Sequence, residues 1–173
     1  HVSSLNILYH LYIYLAYYKP RGLATQETGE TESVITQWKS KGIFPVGRLD
    51  KDSEGLLILT NDGRLTAKLI GPDSLLEKEY LVKVREGIRE GIPAILGKGM
   101  ETKTFGKLLP AQAEILDRHT LRVILREGKR HQIRVMLAEL GYTIEVIKRV
   151  RIGQIRLGNL RPGQTRELGA QDL

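Results

Sequence analysis

No cysteine occurs among the 173 residues. Disulfide bonds, thiolate nucleophiles and cysteine-ligated zinc or iron–sulfur clusters are therefore excluded. That absence fits a reducing compartment, and a cytoplasmic location is expected. Only four histidines are present, scattered without the spacing that ligation needs, so no metal is expected. Long apolar runs are also missing. Residues 5–18 come nearest, but His10 breaks them and they fall short of the ~20 residues that span a bilayer. No basic segment precedes that stretch and no small-residue cleavage site follows it, so neither a signal peptide nor a membrane partner is expected. Internal repeats, linkers and low-complexity tracts are absent too. The chain opens on His1. Residues 1–11 are read as an N-terminal extension, truncated or non-native, ahead of one domain over residues 12–173.

What is present is an ordinary globular composition, 41% hydrophobic and 27% charged. The formal charge of +7 points to a polyanionic partner. Its distribution says more than its sum. Between Arg118 and Arg166 stand twelve basic residues, among them Lys129, Arg130, Lys148, Arg149 and Arg151, against three acids, Glu127, Glu139 and Glu145. Residues 27–79 carry no such excess. The second half is thus a candidate phosphate-binding surface; the plainer alternative is a solvated charged face.

Alternation and turn signals place a strand over residues 12–17, a short helix over 34–39, and a buried strand over 56–60. Asn61 or Asp62 can cap a helix through Leu65, Leu69 and Ile70 that Gly71-Pro72 stops. A strand follows at 79–84, then a glycine-rich middle without clear pattern. Residues 111–125 read as a hairpin. Ile133, Met136, Leu137 and Leu140 have helical spacing, closed by Gly141. Two further strands are expected at 144–150 and 152–157. Strands with interspersed helices and no regular βαβ rhythm indicate an α+β fold.

Gly47-Arg48-Leu49-Asp50-Lys51-Asp52-Ser53-Glu54-Gly55 sets a carboxylate and a guanidinium in a turn before a buried strand. Four readings suit Asp50. It can cap the turn, with Arg48 as a weak surface partner. It can open a calcium loop, although the twelfth position is Asn61 where a bidentate glutamate belongs. It can be half of a glycosidase carboxylate pair. Or it can be a nucleophile kept ionised by a nearby guanidinium. A second constellation, residues 126–136, breaks a strand with Gly128 and starts a helix with Lys129, Arg130, His131 and Gln132 exposed to phosphates. Arg134 borders the buried stripe of that helix and can reach inward. Tyr80 is either a cross-strand packing residue or a platform on which an unpaired base stacks.

These motifs, with Lys19-Pro20-x-Gly22 ahead of them, resemble in wording and order the RsuA-type family of ribosomal RNA pseudouridine synthases, over residues 12–168. The resemblance implies a bent, mixed, mainly antiparallel sheet with flanking helices and a central cleft. It implies Asp50 as catalytic nucleophile, Tyr80 beneath the target uracil and Arg134 paired with Asp50. Arg48 is expected to displace the target nucleotide. Lys19, Lys129, Arg130, His131, Gln132, Lys148, Arg149 and Arg151 complete the expected RNA contacts. The implied reaction is an isomerisation that needs no cofactor, on ribosomal RNA and most simply that of the large subunit, by a monomer. A non-catalytic RNA-binding or ribosome-assembly protein on the same fold is the competing expectation. Two departures stand out. Many members carry a small S4 domain ahead of the core, where this chain starts, and Tyr18 replaces an asparagine.

Overall fold

The computed structural model describes residues 12–26, 29, 32–70 and 74–173. The expected extension at 1–11 and the Gly71-Pro72 stop lie outside these. In chain order the elements are β1 (Tyr14–Lys19), α1 (Val34–Trp38), β2 (Phe44–Val46), β3 (Glu54–Thr60), α2 (Arg64–Ile70) and β4 (Lys78–Val84). Then come α3 (Ile92–Gly97), β5 (Glu101–Thr102), β6 (Gly106–Lys107), β7 (Gln112–Asp117), β8 (Thr120–Leu125), α4 (Gln132–Glu139), β9 (Ile144–Ile152), β10 (Ile155–Arg156) and β11 (Thr165–Glu167). The fold is α+β, and its strand pairs are dominantly antiparallel. The chain divides into two compact units: the described residues through Ser74 with Gln154–Leu173, and Leu75–Gly153.

In the first unit β1 lies antiparallel between β3 and β11, and β2 also pairs with β3. The apolar run of β3 is fully buried, Leu56 through Leu59 each at 0% exposure, as its unbroken hydrophobicity demands. Leu57 and Leu59 pack with Leu15, Tyr17, Val34, Ile43 and Leu49. Ser33 caps α1, its Oγ accepting the Thr36 N–H at 3.1 Å. Asp62 starts α2: its Oδ1 accepts the Arg64 N–H at 3.1 Å, and its Oδ2 accepts the Tyr14 hydroxyl at 2.5 Å.

In the second unit the order is β9–β4–β8–β7, all antiparallel. One face carries Val82, Val84, Leu121, Val123 and Leu125 against Ile133, Met136 and Leu137 of α4 and Ile92 and Leu96 of α3. The helix α3 rises from the glycine-rich middle that sequence pattern left undefined, with Pro93 in its first turn. The two strands expected at 144–157 are unequal: β9 runs to Ile152, and β10 has two residues. Gly153 causes the break. Its φ is 57°, and a Cβ there would stand 2.9 Å from Leu76 Cδ1.

Candidate active site and nucleic-acid interface

The Asp50 turn is fixed on both flanks. Leu49 is buried in the first unit's core. Its main chain is clamped by one buried hydroxyl: Thr25 Oγ1 donates to the Leu49 carbonyl at 2.6 Å and accepts the Leu49 N–H at 3.1 Å. On the other flank, the Lys51 carbonyl accepts the Gly22 N–H at 2.7 Å and the Lys19 ammonium at 3.3 Å. Ser53 N–H closes the turn onto the Asp50 carbonyl at 3.0 Å. Because Leu49 points into the core, its neighbours Arg48 and Asp50 flank it on the outside, exposed and half-buried respectively. A carboxylate carried this way needs little reorganisation to meet a substrate. The calcium reading loses its context, since residues 54–60 are strand and not the remainder of a liganding loop.

Lys19 departs from the expected RNA contact. Its side chain is fully buried, and its ammonium also donates to the carbonyls of Pro20 at 2.8 Å and Leu23 at 2.5 Å. It ties the 20–23 turn to the Asp50 turn. Tyr18 donates its hydroxyl to the Glu54 carboxylate, and burial followed by that partner pushes the phenol well above its usual range.

In the second unit a β-bulge decides which way the basic residues face. Opposite β4, the register slips between Glu79 and Tyr80, so Glu79 faces Arg151 and Tyr80 faces Arg149. Arg149 and Arg151 would share a face in a regular strand, but the extra residue turns them to opposite sides. Tyr80, half-buried, packs against the core cluster beside Val123, its partner on β8, with the nearly buried Arg149 opposite. Arg151 is on the other face, held by Glu77 at 3.0 Å and Glu79 at 3.1 Å. Lys148 is half-buried on that second face, opposite Leu81.

Lys78 shares the face of Tyr80 and was missed from sequence, although it lies two residues away and strand alternation could have found it. Burial, reinforced by the Arg149 charge and opposed by Glu127, lowers the pKa of its ammonium. That ammonium lies 3.6 Å from where a Cβ on Gly128 would stand.

Gly128 belongs to the loop before α4. Lys129, Arg130 and His131 project into solvent from it, and His131 adopts a left-handed conformation (φ 56°). Gln132 does not join them. It is buried, its Oε1 accepting the Lys129 N–H at 3.1 Å and its Nε2 donating to Glu127 at 3.0 Å. Arg134 sits half-buried at the edge of the Ile133–Met136–Leu137 stripe. Among the described residues no group of three or more His, Asp or Glu side chains could hold a metal ion. No described helix is long and apolar enough to cross a membrane.

The profile of the RNA pseudouridylate synthase family matches residues 13–139. The chain belongs to that family. An RNA pseudouridine synthase of Aquifex aeolicus, itself uncharacterized, is 36% identical over 169 residues, spanning 93% of this chain and 70% of the relative. The ribosomal large subunit pseudouridine synthase E of Vibrio parahaemolyticus is 38% identical over 146 residues, 74% of this chain and 61% of the relative. A crystal structure of a pseudouridylate synthase superposes with a TM-score of 0.86 at 28% identity, covering 93% of this chain and 72% of that one. The pseudouridine synthase fold is therefore the α+β fold described above.

Proposed function

We propose that this pseudouridine synthase isomerises a uridine of ribosomal RNA, in the large subunit, with Asp50 as nucleophile. The observation that carries the proposal is the Asp50 turn. Its backbone is clamped at Leu49 and Lys51, on either side of the half-buried Asp50. The name of the Vibrio relative supports the choice of RNA.

In the proposed reaction, Asp50 attacks either C1′ of the ribose or C6 of the base. The N1–C1′ bond breaks, the uracil rotates, C5 bonds to C1′, and the bond from Asp50 to the substrate carbon breaks and frees the carboxylate. C5 then loses its proton and N1 gains one, so the product is an isomer and nothing is oxidised or consumed. Tyr80 supports the uracil ring, and Arg134 supplies positive charge to the reaction. The target nucleotide must leave its stack, at a cost of a few kcal/mol that phosphate contacts from Lys129, Arg130 and His131 offset. Arg48, exposed beside Asp50, is suited to occupy the space the nucleotide vacates.

The test is tritium release from unmodified ribosomal RNA labelled at uridine C5, with the two subunit RNAs offered separately. Release from large-subunit RNA alone is the expected result. Release from small-subunit RNA alone would overturn the choice of substrate, and binding without release from either would favour a non-catalytic RNA-binding protein.

A further inference from the structure

Glu127 is the one acid in a run of basic residues that otherwise suits phosphate. On charge alone it should weaken any RNA contact there. The structure shows what it does instead. Its Oε1 accepts the Leu109 N–H at 3.0 Å and the Gln132 Nε2–H at 3.0 Å. Gln132, buried at the start of α4, uses its own Oε1 to hold the Lys129 N–H at 3.1 Å. A chain of bonds thus runs from the segment after β6, through Glu127 and Gln132, to the backbone of Lys129. The same loop also rests Lys129 near the Phe105 ring, 5.9 Å from its centre, and includes the left-handed turn at His131.

We propose that Glu127 is a positioning residue for RNA: a brace that holds the Lys129–Arg130–His131 loop in its phosphate-ready shape. It touches no substrate and acts through Gln132. The inference rests on the reading of this loop as an RNA contact. Its logic is that a preformed loop loses less conformational entropy on binding than a loose one. That gain must exceed the electrostatic penalty of one carboxylate, which salt and solvent screen at an exposed loop.

The two effects have opposite signs, so substitution separates them. Glu127→Ala removes a negative charge and both bonds. If charge governs, affinity for RNA rises; if the brace governs, it falls, on the order of tenfold for loss of bonds to a charged group. Glu127→Gln removes the same charge but keeps a carbonyl oxygen in the place of Oε1, where both donors already converge. It should bind at least as tightly as the original chain.

The experiment is filter binding of the full chain to an unmodified large-subunit RNA transcript at fixed salt, with single-turnover tritium release at saturating enzyme. Amide exchange at Leu109 and Lys129 is followed in parallel. Weaker binding and faster exchange in Glu127→Ala, both restored in Glu127→Gln, with the saturated rate unchanged, support the brace. Binding by Glu127→Ala that equals or exceeds the original, or failure of Glu127→Gln to restore either readout, overturns it. Exchange is measured without RNA, so absence of any isomerisation would count against the proposed function and leave the brace still under test.

Discussion

Replacing Thr25 with valine should damage the proposed catalytic turn, which lies 24 residues away in sequence. Valine matches threonine in shape, so packing is kept and only the hydroxyl is lost. That hydroxyl serves both the N–H and the carbonyl of Leu49, in a site where Thr25 and Leu49 are 4% and 5% exposed. Water cannot easily replace it. Two orphaned backbone groups at about 1–3 kcal/mol each, partly relieved by relaxation, give a loss of about 2–4 kcal/mol. Thr25→Ser keeps the hydroxyl and gives up only a methyl, about 0.8 kcal/mol. Urea unfolding measures both, with an unchanged m-value showing that stability alone moved. Activity should follow the same order. Asp50 adjoins Leu49, and misplacing a catalytic group by about 1 Å costs on the order of 10²-fold in rate. Thr25→Val should therefore lower single-turnover tritium release between about 10- and 100-fold while RNA affinity stays level. A loss under about 0.5 kcal/mol with full activity would refute the idea that this clamp holds the turn.

Further outcomes follow from the same geometry. Lys19→Met takes the ammonium from three part-buried carbonyls, the Lys51 one still accepting the Gly22 N–H, so about 2–4 kcal/mol of stability should go, with no change in the salt dependence of RNA binding by the folded protein. Arg130→Ala should reduce the slope of log affinity against log salt by about 1, whereas Arg151→Ala, whose guanidinium already serves Glu77 and Glu79, should leave that slope unaltered and lower thermal stability. Hydrogen bonds from Arg64, then one from Tyr14, hold the Asp62 carboxyl well below the usual range. A depressed folded pKa contributes stability above the unfolded value of about 3.9 that is lost as pH falls through the folded one. Asp62→Asn, whose amide oxygen keeps the cap, should accordingly cost about 1.5–3 kcal/mol near neutrality, mostly from the charged bond to Tyr14 because Arg64 is largely exposed. Its deficit should shrink in urea unfolding as pH drops below about 4.

The candidate nucleophile was legible because its motif is contiguous: a glycine turn, an arginine and an acid directly before an unbroken apolar strand. The α+β class and the second-half hairpin were legible from alternation. Other features depend on partners far along the chain. Lys19 looks like any surface lysine until the carbonyls of Pro20, Leu23 and Lys51 surround it. Arg149 and Arg151 differ in facing only because the strand bulges opposite Glu79 and Tyr80, which no alternation pattern reveals. Gln132 was read as an RNA contact since it follows three basic residues, yet its amide is consumed in shaping their loop. Helix α3 was hidden by the glycines around it, although Ile92 and Leu96 carry the i, i+4 spacing of a buried face. β2 contains Pro45 and β11 is a three-residue polar strand, so neither carries a hydrophobic signature.

The most direct test is Asp50→Asn, which keeps the shape of the side chain and removes its nucleophilic charge. Tritium release from C5-labelled large-subunit RNA should disappear while the variant binds that RNA as tightly as the original chain. Release at a comparable rate from Asp50→Asn would contradict the account, because another group would then have to attack the uridine.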